Sequence, residues 1–291
     1  MNKVYLLLDC NYLCHRAKHT LGGLKHGETP TGVIYGFLKT ISYFQERFNT
    51  HRVVFCWDSK TNKREEIFPA YKKKRKARYK EWTPKEAKFE KAFRLQMKKL
   101  RRYYLKAIGY KNVFCQAGYE SDDIIASISK HLPKDDEAII ITSDQDMYQC
   151  LRHNVSFYNP QKNELVTLQK FYRKYGIMSK DWKVLKAITG CTTDEVPGIK
   201  RVGEITALKF LKRKPKETSK IFQAILSNES WKILQRNKKL VYLPFKGVKI
   251  FPLREDEISR QGWKEVCRKL GMKSIQDKGP TPSRKRKRNA N

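Results

Sequence analysis

Apolar residues along this chain fall into two patterns. Short unbroken runs read as strands buried on both faces of a parallel sheet, and apolar positions three and four apart read as helices that cover it. Val4-Tyr5-Leu6-Leu7-Leu8 is the first run and ends at Asp9, and Arg52-Val53-Val54-Phe55-Cys56-Trp57 repeats it and ends at Asp58. Between them, Thr31 to Phe44 carries apolar residues at helical spacing. Val113-Phe114-Cys115 is a short strand, and Ala138-Ile139-Ile140-Ile141-Thr142 is another that runs into Asp144-Gln145-Asp146. Strands separated by helices predict an α/β fold with a mainly parallel central sheet flanked by helices.

Two helix starts are written locally. Thr83-Pro84-Lys85-Glu86 has the form of a capping box with proline at the first helical position. Behind it Phe89, Phe93, Met97, Leu100, Tyr104, Ala107 and Ile108 share one helical face, and Gly109 supplies a stop. Ile124, Ile125, Ile128 and Leu132 form the stripe of a second helix, beginning near Glu120. Further helical patterns cover Asp181 to Ile188 and Glu204 to Leu211, and helical and short strand patterns cover Ile221 to Leu226, Trp231 to Leu240 and Trp263 to Leu270.

Composition narrows the class. Hydrophobic content of 40% and aromatic content of 12% exclude wholesale disorder. Sixty-three Lys and Arg against 29 Asp and Glu leave a formal charge of +34, an excess that calls for a polyanionic partner, nucleic acid before membrane. Seven cysteines, odd in number and without paired CxxC motifs, argue against a disulfide framework or zinc site and for a reducing compartment. No apolar run is long enough to span a membrane, and the five apolar residues before Asp9 are too few for a signal peptide.

The candidate chemistry lies where strands end. Ligands in open α/β sheets bind beyond the carboxyl ends of the strands, and Asp9, Asp58 and the Asp144/Asp146 pair each follow an apolar run. Gly118-Tyr119-Glu120-Ser121-Asp122-Asp123 adds three carboxylates within four residues. Such crowding raises carboxylate pKa values unless a cation neutralises it, which points to a divalent metal. An acidic helix start is the plain alternative for this stretch, because acids favour the positive end of a helix dipole. Residues 71 to 80 hold seven cations and no acid, so they form a loop or an exposed helix. Pro197-Gly198-Ile199-Lys200-Arg201-Val202-Gly203 before a helix allows close backbone approach to a phosphate, or is an ordinary Pro-Gly turn. From Asp277 the chain reads as a disordered basic tail, Arg284-Lys285-Arg286-Lys287-Arg288, suited to a nuclear address or a nucleic-acid tether.

Taken together, Leu8-Asp9 with Tyr35-Gly36-Phe37, Trp57-Asp58, Tyr71-Lys72-Lys73-Lys74-Arg75, Gly118 to Asp123, Thr142 to Asp146, and Pro197-Gly198-Ile199 with Val202-Gly203 resemble the 5′-nuclease superfamily. That superfamily includes the 5′-nuclease domain of bacterial DNA polymerase I, bacteriophage 5′-exonucleases and ribonuclease H, and, more remotely, the flap endonucleases. The resemblance covers residues 4 to about 213. It implies a PIN-like 5′-nuclease domain over 1–180 with a basic helical arch over about 60–110, a helix-hairpin-helix-like DNA-binding region over 181–275, and the tail over 276–291.

The resemblance further implies that Asp9, Asp58, Glu120, Asp122 and Asp123 surround one Mg²⁺, which Mn²⁺ can replace. Asp122, Asp144, Asp146 and Asp194 surround a second, about 4 Å away, and together the ions activate water and stabilise the leaving oxygen. Where the family often has another aspartate, this chain has Cys191, a poor Mg²⁺ ligand, so the second ion is expected to be held more weakly or through water. Lys72 and Arg75 are expected at the scissile phosphate and Tyr71 on a base. Lys73, Lys74, Gly198, Lys200, Arg201 and Gly203 are expected on the DNA backbone, and in the family this hairpin can also hold K⁺. The expected activity is a structure-selective 5′-3′ exonuclease and flap endonuclease of replication or repair, acting as a monomer on DNA with a 5′ single-stranded end or on RNA/DNA hybrid. Its expected location is the cytoplasm, that of a host if viral, with the basic tail leaving the nucleus open. The competing readings are a DNA-junction binder with lost catalysis and an RNA-cutting PIN-like nuclease.

Overall fold

The computed structural model describes residues 2–77, 81–213 and 219–280. Residues 78–80 of the basic segment, and the basic tail from 281 onward, lie outside them. Six strands form the central sheet in the order Val113–Phe114, Arg52–Cys56, Val4–Asp9, Glu137–Ile141, Val155–Asn159, Glu164–Val166. All pairings are parallel except the last, which is antiparallel. Leu6, Leu7 and Leu8 are fully buried because the sheet is covered on both faces. Alternate residues of the central strand therefore serve two cores: Leu6 and Leu8 pack with helices Cys10–Leu21 and Gly32–Arg47, while Leu7 packs with helix Ser121–His131.

The capping box at Thr83 forms, with Thr83 Oγ1 accepting from Glu86 N and the Glu86 carboxylate accepting from Thr83 N. Gly109 ends this helical stretch in the left-handed conformation, φ 102°. The expected apolar face is only partly right. Phe93, Leu100, Tyr104, Leu105 and Ile108 enter the core, whereas Phe89 stays exposed. The second half of the segment assigned to an arch is thus a cover of the sheet. Gln96 on it accepts hydrogen bonds from Val33 N (3.0 Å) and Ile34 N (3.4 Å), so it caps a neighbouring helix whose own Thr31 makes no side-chain cap.

The expected boundary at residue 180 does not coincide with a break in the core. Trp182 and Leu185 pack with the sheet residues Leu7 and Ile140, and Trp263, Val266 and Cys267 belong to the cluster of Leu6 and Leu8. Between these helices an extended strap passes the short strand Val113–Phe114. Asn112 and Arg254 exchange hydrogen bonds, and Glu257 N and Ser259 N donate to Gly109 O and Ile108 O. The strap covers this edge of the sheet, and its Phe251 ring lies 5.0 Å from that of Phe114. Among the described residues, no helix is long and apolar enough to cross a membrane.

Candidate active site

Parallel pairing places the ends of three strands side by side, with Asp9 opposite Cys56 and Leu8 opposite Ile141. Asp9, Asp58 and Asp144 therefore gather at one edge. Asp9 also caps its own helix: Oδ1 accepts from Tyr12 N (3.1 Å) and from Ser121 Oγ (3.2 Å), and Oδ2 accepts from Thr142 Oγ1 (2.9 Å). Asp58 accepts from Ser121 N at 2.8 Å, which ties the second strand to the start of helix Ser121–His131. Asp144 caps the short helix Gln145–Cys150 by accepting from Asp146 N at 2.8 Å.

Glu120, Asp122, Asp144, Asp146 and Asp194 line one cleft, together with Tyr71 and Arg64. Burial and the mutual repulsion of these acids show in their proton affinities. Asp9 is pushed up to about 7 by burial and by Asp58, and Asp144 up to about 6 by burial and by Asp146. Asp58 is raised by burial and Glu120, and Asp122 is raised well above the carboxylate range by burial, Asp144 and Asp9. Asp122 Oδ1 is buried without a hydrogen-bond partner. A buried carboxylate oxygen facing other carboxylates is costly unless a cation meets it. The donor set is all oxygen and suits a hard divalent ion.

Protein cations meet part of that charge. The Lys72 ammonium sits on Glu120 Oε1 and lies 3.5 Å from Asp194 Oδ1, and Arg75 reaches Asp194 Oδ1 at 3.7 Å. Burial drives Glu120 upward, but Lys72 and Arg64 outweigh it and hold the carboxyl at about 2. Lys186 pairs with Asp146 Oδ1 at 2.6 Å. Among the described residues, no three His, Cys, Asp or Glu side chains form a ready coordination set as they stand.

Two residues are placed differently from expectation. Tyr71, expected on a base, is buried, and its hydroxyl lies 2.8 Å from Glu120 Oε2 and 3.1 Å from Asp194 Oδ2. Asp123, expected among the metal ligands, faces the other way. Its oxygens accept from Arg64, from Glu120 N (3.1 Å) and from Phe245 N (2.9 Å). Arg64 itself was not anticipated. Its guanidinium also donates to Leu240 O (2.8 Å) and stands 4.8 Å from the centre of the Phe245 ring. Its only sequence signal is position, one cation among many ahead of the basic run. Lys186 was missed for the same reason.

Lys73 and Lys74 open the short helix Lys73–Ala77 with exposed side chains. In the turn at 198–203, Ile199 and Val202 point into the core while Lys200, Arg201 and Gly203 are exposed. Gly198 has no room for a side chain, since a Cβ would lie 2.2 Å from Thr189 C. Cys191 Sγ lies 3.1 Å from Thr193 Oγ1, and burial with Asp194 and Asp146 raises its thiol.

The family model described as 5′-3′ exonuclease, N-terminal resolvase-like domain, matches residues 4–176. The chain belongs to the 5′-3′ exonuclease family. The 5′-3′ exonuclease of Buchnera aphidicola subsp. Schizaphis graminum is 32% identical over 215 residues, spanning 72% of this chain and 70% of the relative. The 5′-3′ exonuclease of Bacillus subtilis is 32% identical over 222 residues with the same coverage, 72% and 70%. A bacteriophage T5 flap endonuclease, solved as a pseudo-enzyme-product complex with DNA and metal ions, shares the fold with TM-score 0.69 and 21% identity, covering 95% of this chain and 98% of its own. This 5′-3′ exonuclease family member is thus a nuclease built on the PIN-like 5′-nuclease fold.

Proposed function

We propose that this nuclease depends on divalent ions and cuts DNA near the junction of a 5′ single strand and a duplex. The observation that carries the reading is the cleft in which five carboxylates converge while Asp122 Oδ1 lacks a partner. Asp9, Asp58, Glu120 and Asp122 would hold one Mg²⁺ or Mn²⁺, and Asp122, Asp144, Asp146 and Asp194 would hold a second. Bound there, the ions supply the charge that activates water and stabilises the leaving oxygen.

The chain's own residues do the rest. Asp123 turns away from the cleft, so we assign it to orienting Glu120, directly through the Glu120 N–H and indirectly through Arg64. Tyr71 keeps Glu120 and Asp194 together. Lys72 and Arg75 border the carboxylates and are the cations a scissile phosphate would meet. Lys73, Lys74 and the exposed tip Lys200-Arg201 would contact backbone phosphates without reading sequence, with Gly203 open to a close approach and Gly198 seating the turn against Thr189. This arrangement suits an arch ahead of residue 93 and a helix-hairpin-helix-like grip near 198–203, where K⁺ can add charge. A monomer suffices for it, and RNA/DNA hybrid fits the same backbone contacts.

Cleavage of a 5′-labelled flap, a nicked duplex and an RNA/DNA hybrid, each with Mg²⁺ and with EDTA, tests the proposal. Products that need Mg²⁺ and map to the junction are expected. Binding without any metal-dependent product would leave a junction-binding protein instead, and preference for RNA would favour an RNA-cutting enzyme.

A further inference from the structure

A groove of about 340 Å³ lies on the far side of helix Cys10–Leu21 from helix Pro84–Lys99, away from the carboxylates. Its floor forms where helix Cys10–Leu21 meets helix Gly32–Arg47. At Gly36 the two are so close that a Cβ would lie 2.8 Å from Ala17 Cβ. Beyond that point the groove opens against Tyr43, Phe44 and Tyr158.

Its lining has three chemical properties. First, it contains the cations Arg16 and Lys39 and no carboxylate. Both side chains are exposed, and neither forms an ion pair among the described residues. Second, it carries an aromatic wall with one ring open to solvent. Tyr43 is 47% exposed, unlike the buried Phe44 and Tyr158 beside it. Third, that ring is held in place. Arg47 donates to Tyr43 Oη at 3.0 Å while lying 5.0 Å from the centre of the Tyr158 ring, and the Phe44 ring is 5.3 Å from that of Tyr43.

We propose that this groove is a subsite for single-stranded nucleic acid, taking one base against Tyr43 and the adjoining phosphate on Arg16 and Lys39. A fixed aromatic face beside unpaired cations is what sequence-independent binding of single strands requires, since every base offers a π-face and every linkage a charge. The chain's own tail is excluded as occupant because Arg284 to Arg288 carry the same sign as the groove. Distance favours a strand that also reaches the active site. Arg16 lies seven residues along the helix that Asp9 caps, about 10 Å from it at 1.5 Å per residue. The subsite does not require the cleavage reading, because binding can be measured without cutting.

The test uses the full chain in EDTA and fluorescence anisotropy with two labelled DNAs, a nicked duplex and the same duplex with a 5′ single-stranded arm. Lys39→Glu changes the charge of the groove, and Thr40→Trp fills it without changing charge. Both variants are expected to weaken binding of the armed DNA about fivefold or more, to leave the nicked duplex within about twofold, and to melt like the parent. Lys39→Glu should also lower the salt slope on armed DNA by about 0.7 for the lost phosphate contact. Irradiation with 5-bromodeoxyuridine in the arm should attach the strand to the peptide containing Tyr43. If Thr40→Trp leaves armed DNA unaffected, the Lys39 effect is long-range charge and the subsite is overturned. Equal loss on both DNAs would make the groove a duplex-binding surface and overturn it as well.

Discussion

Arg64 and Asp123 meet through two hydrogen bonds, Nη1 to Oδ2 at 2.7 Å and Nη2 to Oδ1 at 2.8 Å, in a setting that water does not reach. The pair fastens the first turn of helix Ser121–His131 to the segment around Leu240 and Phe245. Arg64→Met should therefore destabilise the fold by about 3–5 kcal/mol, the cost of leaving a buried carboxylate uncompensated. Urea unfolding measures it, and a loss below about 1 kcal/mol would show that the pair is dispensable. Cleavage should also fall, because Glu120 loses the guanidinium 3.4 Å away.

Asp144→Asn should abolish cleavage while leaving DNA binding unchanged or tighter. The substitution removes negative charge from the site proposed to receive a phosphate, and a neutral amide is a poorer ligand for a hard ion than the carboxylate it replaces. Single-turnover cleavage and anisotropy on the same flap separate the two effects. Near-normal turnover would sink the assignment.

Lys72 is engaged with Glu120 and Asp194 in the free protein, and burial resists its charge less than those acids favour it. If it also meets the scissile phosphate, Lys72→Ala should slow cleavage and reduce the salt dependence of DNA binding by about one unit of slope. A slower reaction with an unchanged slope would limit Lys72 to organising Glu120.

Without divalent ions the acid cluster should make stability depend on pH. Asp9 and Asp144 are held at about 7 and about 6, above an ordinary carboxyl, so the folded state keeps protons that the unfolded chain has released. Stability should therefore fall as pH rises from about 4 to 7, and below about 4 the penalty vanishes because both states are protonated. Melting in EDTA at pH 5, 6, 7 and 8 should show the decline, and Mg²⁺ should offset it most at the upper end. A melting temperature that climbs across this range in EDTA, with no response to Mg²⁺, would contradict a metal-binding cluster.

Much of this molecule was legible in its residues because the signals are local. Unbroken apolar runs such as Val4 to Leu8 can be satisfied only between two covering layers, and the capping box at Thr83 needs just four residues. Since parallel strands align their carboxyl ends, the gathering of Asp9, Asp58 and Asp144 followed from their positions alone. The direction in which a neighbouring side chain faces did not. Asp122 and Asp123 are adjacent and chemically identical, yet one opens onto the cleft and the other closes on Arg64, 59 residues away. Tyr71 and Gln96 likewise take their roles from distant partners, Glu120 and Asp194 in one case and the backbone of Val33 and Ile34 in the other. Sequence alone determined the layers and the acids that line their edge, because burial and periodicity act over a few residues. Which of those acids opens onto the cleft and which is tied to an arginine was decided only by tertiary packing, where hydrogen-bond partners are chosen by proximity in space.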